Sequence, residues 1–297
     1  MFPLNQFSKY KRFTEGATRK ICLLLIILLN SMHVFGEKLK PLKSFVIYYG
    51  AEEDAKAFTA FDLVVLESSY TKIVKDLKKE NKIVLAYLSI GEVNSSRSYF
   101  HYLKSKQLLL ENNPNWPDAF LIDIRNPEWG SYIVETLIPS ILGNGFDGIF
   151  IDTLDSPIEK ERVNPEKFDG MKKAAIDIIE KARRAHPGMK IMLNRAYGIA
   201  PDVASSIDYI LGESICNTYD FSKKKYLPVD DKLYMEQVKI LDDIKGRNPL
   251  IQAMTLDYCD EKDQSRRQEI YKKEKKNGFI PYVTTIDLGR VSKPDRK

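Results

Sequence analysis

Residues 145–152 read Gly-Phe-Asp-Gly-Ile-Phe-Ile-Asp. The apolar run Gly148-Ile149-Phe150-Ile151 closes on a carboxylate, Asp152. Its β-branched and aromatic content marks a strand, and strand alternation places Phe150 on the face of Asp152. A carboxylate inside an apolar strand is costly unless it is paired, so Asp152 belongs at the strand's carboxyl end. Residues 208–213, Asp-Tyr-Ile-Leu-Gly-Glu, repeat the form, with Leu211 on the face of Glu213.

Outward from these two, short β-rich runs punctuate the chain. In order they are 44–49, 62–67, 82–90, 147–152, 190–194, 208–213, 250–256 and 279–285. Helical patterns separate most of them. Residues 70–80 carry Ile73, Val74 and Leu77 on one face. Asn126 caps a helix with Pro127 at its first position and Trp129, Ile133 and Leu137 at helical spacing, stopped by Gly143-Asn144-Gly145. A capped helix is expected from Asn164-Pro165 to about 185, and two more over 231–245 and roughly 263–276. Strands separated by helices pair in parallel. Eight such units in about 261 residues predict an α/β fold, a single-domain (β/α)8 TIM barrel. An open doubly wound sheet would begin with a glycine-rich turn, and Tyr49-Gly50-Ala51-Glu52 is not one. A strand-like piece at 120–124, inside an aromatic and polar excursion, is expected as an insertion between strands three and four.

The chain has 297 residues and a formal net charge of +5. Residues 1–36 supply +4 of it, from Lys9, Lys11, Arg12, Arg19 and Lys20 against Glu15. The remainder is nearly neutral, which excludes a nucleic-acid footprint. With 43% hydrophobic and 11% aromatic residues, the chain is not a disordered one. Basic residues 9–20, the run Ile-Cys-Leu-Leu-Leu-Ile-Ile-Leu-Leu over 21–29 and small residues near Gly36 have the layout of a cleaved signal peptide. An uncleaved amino-terminal anchor is the alternative. Either reading puts residues 37–297 outside the cytoplasmic membrane, secreted or periplasmic. Cys216 and Cys259 are either a disulfide or two separate buried thiols.

Three histidines, His33, His101 and His186, leave no set for a Ser-His-Asp triad or a zinc site. Chemistry therefore falls to carboxylates. The expected carboxyl-end rim carries Tyr48-Tyr49, Glu67, Glu92, Asp123, Asp152, Asp155, Asn194, Glu213, Asp257-Tyr258 and Asp287. Acids, amides and tyrosines without histidine suit a carbohydrate site. Asp152 and Glu213, facing one pocket from strands four and six, can serve as nucleophile and general acid/base. Tyr49 and Tyr258 are the tyrosines expected to stack on sugar rings. Trp116 is expected to anchor the excursion, and Trp129 to pack in the core. Asp257 and Asp287 read equally as contacts to an amino sugar or as loop caps.

The residues Tyr87-Leu88-Ser89-Ile90-Gly91-Glu92, Asp123-Ile124-Arg125-Asn126 with Trp129, and Gly145 to Asp152 with Asp155 resemble the endo-α-1,4-polygalactosaminidase family, glycoside hydrolase family 114. Asn194 and Glu213-Ser214 match it too. The resemblance covers roughly 44–290 and implies a (β/α)8 barrel that cleaves α-1,4-linked galactosamine-containing polysaccharide. It makes Asp152 the nucleophile and Glu213 the acid/base, with Glu92, Asp123, Asp155 and Asn194 lining the pocket. Thr153 stands where that family has asparagine after the strand-four aspartate. The expected partner is a polysaccharide or oligosaccharide substrate of a monomeric chain, with no metal or organic cofactor, no nucleic acid and no stable membrane partner beyond the leader. The competing function is a non-catalytic polysaccharide-binding barrel of a surface or export assembly.

Overall fold

In a computed structural model of the chain, residues 41–114 and 116–294 are described. The expected leader lies outside them. Among the described residues, no helix is long and apolar enough to cross a membrane.

Eight parallel strands form one sheet: β1 (Phe45–Tyr48), β2 (Leu63–Glu67), β3 (Ile83–Ser89), β7 (Gly148–Asp152), β8 (Lys190–Asn194), β9 (Tyr209–Glu213), β12 (Gln252–Tyr258) and β13 (Ile280–Thr284). The remaining strands are β4 (Glu92–Asn94), β5 (Leu109–Asn112), β6 (Ala119–Ile122), β10 (Asn217–Asp220) and β11 (Lys225–Pro228). The eight follow one another round a nearly closed TIM-type barrel, the predicted architecture. β1 and β13 meet without a ladder. Phe45 and Tyr282 bring their ring centroids to 5.7 Å, and Tyr49 N donates to Leu288 O at 2.9 Å.

Register turns local alternation into a continuous face. Tyr87 is level with Phe150, Ser89 with Asp152, Asn194 with Leu211, and Glu213 with Leu256. Parallel partners share a face, so Phe150 and Asp152 point the same way as Tyr87, Asn194, Glu213 and Tyr258. The opposite, amino-terminal end of the barrel is tied by aspartates that stand one residue before a strand. Asp62 accepts from Ser44 N at 3.2 Å, Asp147 from Val84 N at 2.9 Å and Asp208 from Ile191 N at 2.9 Å. Asp208 also takes Arg183 Nη2 at 2.6 Å, with both side chains mostly buried.

Three expectations are refined. The insertion between strands three and four is a three-stranded antiparallel sheet, β4-β6-β5, rather than a lone strand. The lysine-rich loop after Glu213 is the β10–β11 hairpin, with Lys223 and Lys224 in its turn. The helix expected from Asn164 is Pro165–Phe168 and then Met171–Ala185, because Gly170 takes φ +89° and breaks it. A helix over Asp155–Val163 precedes these.

The helix capped by Asn126 runs on through a π turn, Ile133–Leu137. Pro139 follows that turn, lacks an N–H and crowds the carbonyl of Glu135, which accounts for the wider winding. Trp129 is fully buried and its Nε1 donates to Ile90 O at 3.0 Å, the expected core role. Trp116 is 54% exposed, so it does not anchor the excursion by burial. Cys216 and Cys259 are free, buried thiols.

Asp208→Ala strands a mostly buried guanidinium and a strand N–H at once. It is expected to cost about 3 kcal/mol in urea unfolding, and a loss below about 0.5 kcal/mol would show the aspartate clamp to be incidental.

Candidate active site

Adjacent strands β7, β8 and β9 end in Asp152, Asn194 and Glu213. The amide of Asn194 stands between the two acids. Its Nδ2 donates to Asp152 Oδ1 at 2.9 Å and to Glu213 Oε2 at 2.6 Å. Those oxygens are therefore no more than about 5.5 Å apart, the sum of the two contacts. The amide's orientation is fixed by its neighbours, since a flipped Oδ1 would face both carboxylates. The outward Oδ1 of Asn194, in a side chain only 6% exposed, has no hydrogen-bond partner.

Each acid has further support. Asp152 Oδ1 accepts from Thr153 N at 2.8 Å. Glu213 Oε1 accepts from Tyr258 OH at 2.6 Å. Burial is the main cause that raises the Glu213 carboxyl above its ordinary value of 4.5, and the facing charge of Asp152 adds to it. The bonds from Tyr258 and Asn194 oppose the rise. Tyr87, on the face of Asp152, has its hydroxyl held well above 10 by burial first, then by the charge of Asp152 and a hydrogen bond to it. Tyr49 packs against Tyr87 with centroids 5.0 Å apart, and burial likewise holds its proton on.

The backbone turns sharply after each strand end. Thr153, Arg195 and Ser214, each next to a site residue, have φ of +68°, +47° and +55°. Such left-handed geometry costs a non-glycine residue roughly 1–2 kcal/mol. Thr153 offsets it with its hydroxyl, which donates to Asp152 O at 2.7 Å and accepts from Gly91 N and Glu92 N at 3.0 Å each. For a β-branched residue this conformation is unusual, and the hydroxyl clamps the end of β7 to the Gly91-Glu92 turn.

The other expected pocket residues divide. Glu92 is buried and accepts from both Asn113 Nδ2, at 3.0 Å, and Ser156 Oγ. Asp155 is half-buried beside Arg195, 3.5 Å from its Nε; burial raises its carboxyl, and that guanidinium opposes the rise. Asp123 is forked by Arg125 at 2.7 and 2.8 Å. Arg125 also reaches Lys167 O and Asp169 O, a brace between loops rather than an open contact. Tyr258 is 3% exposed and offers the site its hydroxyl, not a free ring face. Asp287 caps its own loop through Thr285 Oγ1 at 2.8 Å and Gly289 N at 3.2 Å. Arg97 is no candidate in the sequence, and Tyr87 opens the stretch that carries the family resemblance without being one of the tyrosines expected to contact sugar. Arg97 forks Glu67 at 2.7 and 3.0 Å and lies 5.4 Å over the Tyr87 ring, holding it toward Asp152. The parity of Tyr87 with Phe150 across the paired strands puts it on the face of Asp152.

A TIM-type barrel with two carboxylates this close at its carboxyl-end rim has the constellation of a glycoside hydrolase. The chain belongs to glycoside-hydrolase family GH114, whose model matches residues 35–296. The solved glycoside hydrolase domain of PelA from Pseudomonas aeruginosa superposes with a TM-score of 0.75 at 21% identity, covering 84% of this chain and 98% of that one. Ega3 of Aspergillus fumigatus, solved with galactosamine, gives 0.64 at 14% identity over 85% and 96%. An uncharacterized protein of Methanocaldococcus jannaschii is 25% identical over 268 residues, 80% of this chain and 73% of its own.

A second pair of acids lies behind β12. Asp257 is fully buried; its Oδ1 accepts from Cys216 N at 2.7 Å and Asn217 N at 2.8 Å, and burial pushes it up to about 6. Glu274 is also fully buried, beside the hydroxyls of Tyr234 and Thr255, which oppose its rise. Burial, then the charge of Asp257, pushes it up to about 8 from 4.5. Between those values the folded chain keeps a proton that the unfolded chain has lost, so stability falls as pH rises through the window. Glu274→Gln is expected to stabilise the fold more at pH 8 than at pH 5 in urea melts; an equal effect at both would refute the raised value.

Proposed function

We propose that this chain is a retaining hydrolase of α-linked galactosamine-containing polysaccharide, working outside the cytoplasmic membrane. The observation that carries the reading is the Asn194 fork, which limits the facing oxygens of Asp152 and Glu213 to about 5.5 Å. Retaining enzymes hold their two carboxyl groups ~5–5.5 Å apart, and inverting ones leave ~6.5–9.5 Å for a water. In this reading Asp152 attacks the anomeric carbon and forms a covalent glycosyl ester. Glu213, whose carboxyl is raised first by burial and then by the Asp152 charge, gives its proton to the departing glycosidic oxygen. Once ionised, Glu213 takes a proton from water, which hydrolyses the ester and restores both groups. Asn194 and Tyr258 steady Glu213 through that change of charge. The choice of galactosamine is supported by family membership and by the galactosamine in the Ega3 complex. The location outside the membrane is supported by the leader-like residues 1–36.

New reducing ends from deacetylated α-1,4-galactosaminogalactan test the reading. Wild-type chain is expected to release them, Glu213→Gln to lose about 10²–10⁴-fold in kcat, and Asp152→Asn to bind the polymer without turnover. Full binding but no cleavage by the wild type would instead favour the binding barrel. The first sugar released, followed by NMR, should keep its anomeric configuration.

Tyr258→Phe removes a donor to ionised Glu213, so that carboxyl rises further. The basic limb of the pH–rate profile is expected to move up by about one unit. A limb that moves down or stays would separate Tyr258 from the acid.

A further inference from the structure

Trp116 and Phe221 expose 54% and 45% of their surface, yet they meet edge to face with ring centroids 5.5 Å apart. They come from separate additions to the barrel. Trp116 lies in the β5–β6 loop of the insertion that follows β3, and Phe221 starts the turn of the β10–β11 hairpin that follows β9. In the sheet, β7 and β8 lie between β3 and β9. The two rings thus reach toward each other from the flanks of the strands that present Asp152, Asn194 and Glu213.

Both loops are fastened to the site. Trp116 N donates to Asn113 O at 3.3 Å, and Asn113 Nδ2 donates to both oxygens of Glu92 at 3.0 Å. Asn217 opens the hairpin and donates Nδ2 to Tyr258 O at 2.6 Å, in the residue whose hydroxyl holds Glu213. From Phe221 the rings continue inward, to Tyr219 at 5.2 Å and on to Tyr226 at 5.0 Å. Tyr226 is tied by Ile286 N to its hydroxyl at 3.3 Å. The tip rings are therefore held on a half-buried aromatic base rather than left loose.

We propose that Trp116 and Phe221 form a stacking subsite for a sugar ring of the same glycan chain, away from the bond cleaved at Asp152 and Glu213. This rests on the hydrolase reading above. A pyranose offers an apolar C–H face and a polar rim. The tip matches it with two aromatic rings among Asn113, Asp220, Ser222 and Lys223. The ammonium of a galactosamine unit gains cation–π attraction at such rings. Continuity with Glu92 and Tyr258 makes the bound chain, not a separate protein, the occupant.

The chain carries its own reporter. It has two tryptophans, and Trp129 is fully buried, so acrylamide quenching reads Trp116. The test titrates the full chain, as Asp152→Asn to prevent turnover, with α-1,4-linked galactosamine oligomers of increasing length. Calorimetry follows binding in parallel. Long oligomers are expected to protect Trp116 from quenching. Phe221→Ala should weaken their binding roughly three- to tenfold, the worth of one aromatic contact, and leave the shortest oligomer unchanged. Protection without cleavage by the wild type would sustain the subsite and remove the hydrolase. Calorimetric binding of long oligomers without protection of Trp116, or no binding at any length, would overturn the subsite.

Discussion

Two part-buried carboxylates whose facing oxygens lie within about 5.5 Å of each other cannot both carry a charge cheaply. Much of this molecule follows from that constraint. Asn194 relieves it from between by donating one N–H to each acid, and only a residue on the strand between β7 and β9 can do so. The remaining strain becomes a division of labour. Asp152 keeps a backbone N–H and an amide as donors, while burial raises Glu213 toward its protonated form. Two like residues acquire different chemistry from environment alone.

That pair is held by residues around it. Tyr258 fixes the outer oxygen of Glu213. Arg97, itself clamped by Glu67, presses Tyr87 toward Asp152. Thr153 accepts a left-handed backbone and spends its hydroxyl on joining β7 to the Gly91-Glu92 turn. The three left-handed residues that follow Asp152, Asn194 and Glu213 place strain at the rim that carries the two acids. The aspartate clamps supply stability at the other end of the barrel.

The additions to the barrel shape what can reach the pair. The insertion after β3 carries Asn113 and Trp116, and the hairpin after β9 carries Tyr219 and Phe221. Each is a small antiparallel unit, too slight to stand alone; Asn113 of the first bonds Glu92, and Asn217 of the second bonds Tyr258, which holds Glu213.

The sequence by itself determined the barrel and its rim. Eight short apolar runs spaced by helical patterns admit few other topologies, and period-two alternation put Asp152 and Glu213 on inward-facing positions. It could not decide distance. That Asn194 lies between the acids depends on the order of strands and their register, which no local pattern encodes. It placed Tyr87 in the stretch that resembles the family but not beside Asp152, because that place depends on pairing with Phe150 and on Arg97 from the insertion. It also read Trp116 as an anchor, since a lone tryptophan in a polar loop is more often buried than displayed. Only tertiary structure brings the far tip of a hairpin to that ring. Contacts between residues more than a hundred positions apart are set by how the elements close on one another, not by what any one segment prefers.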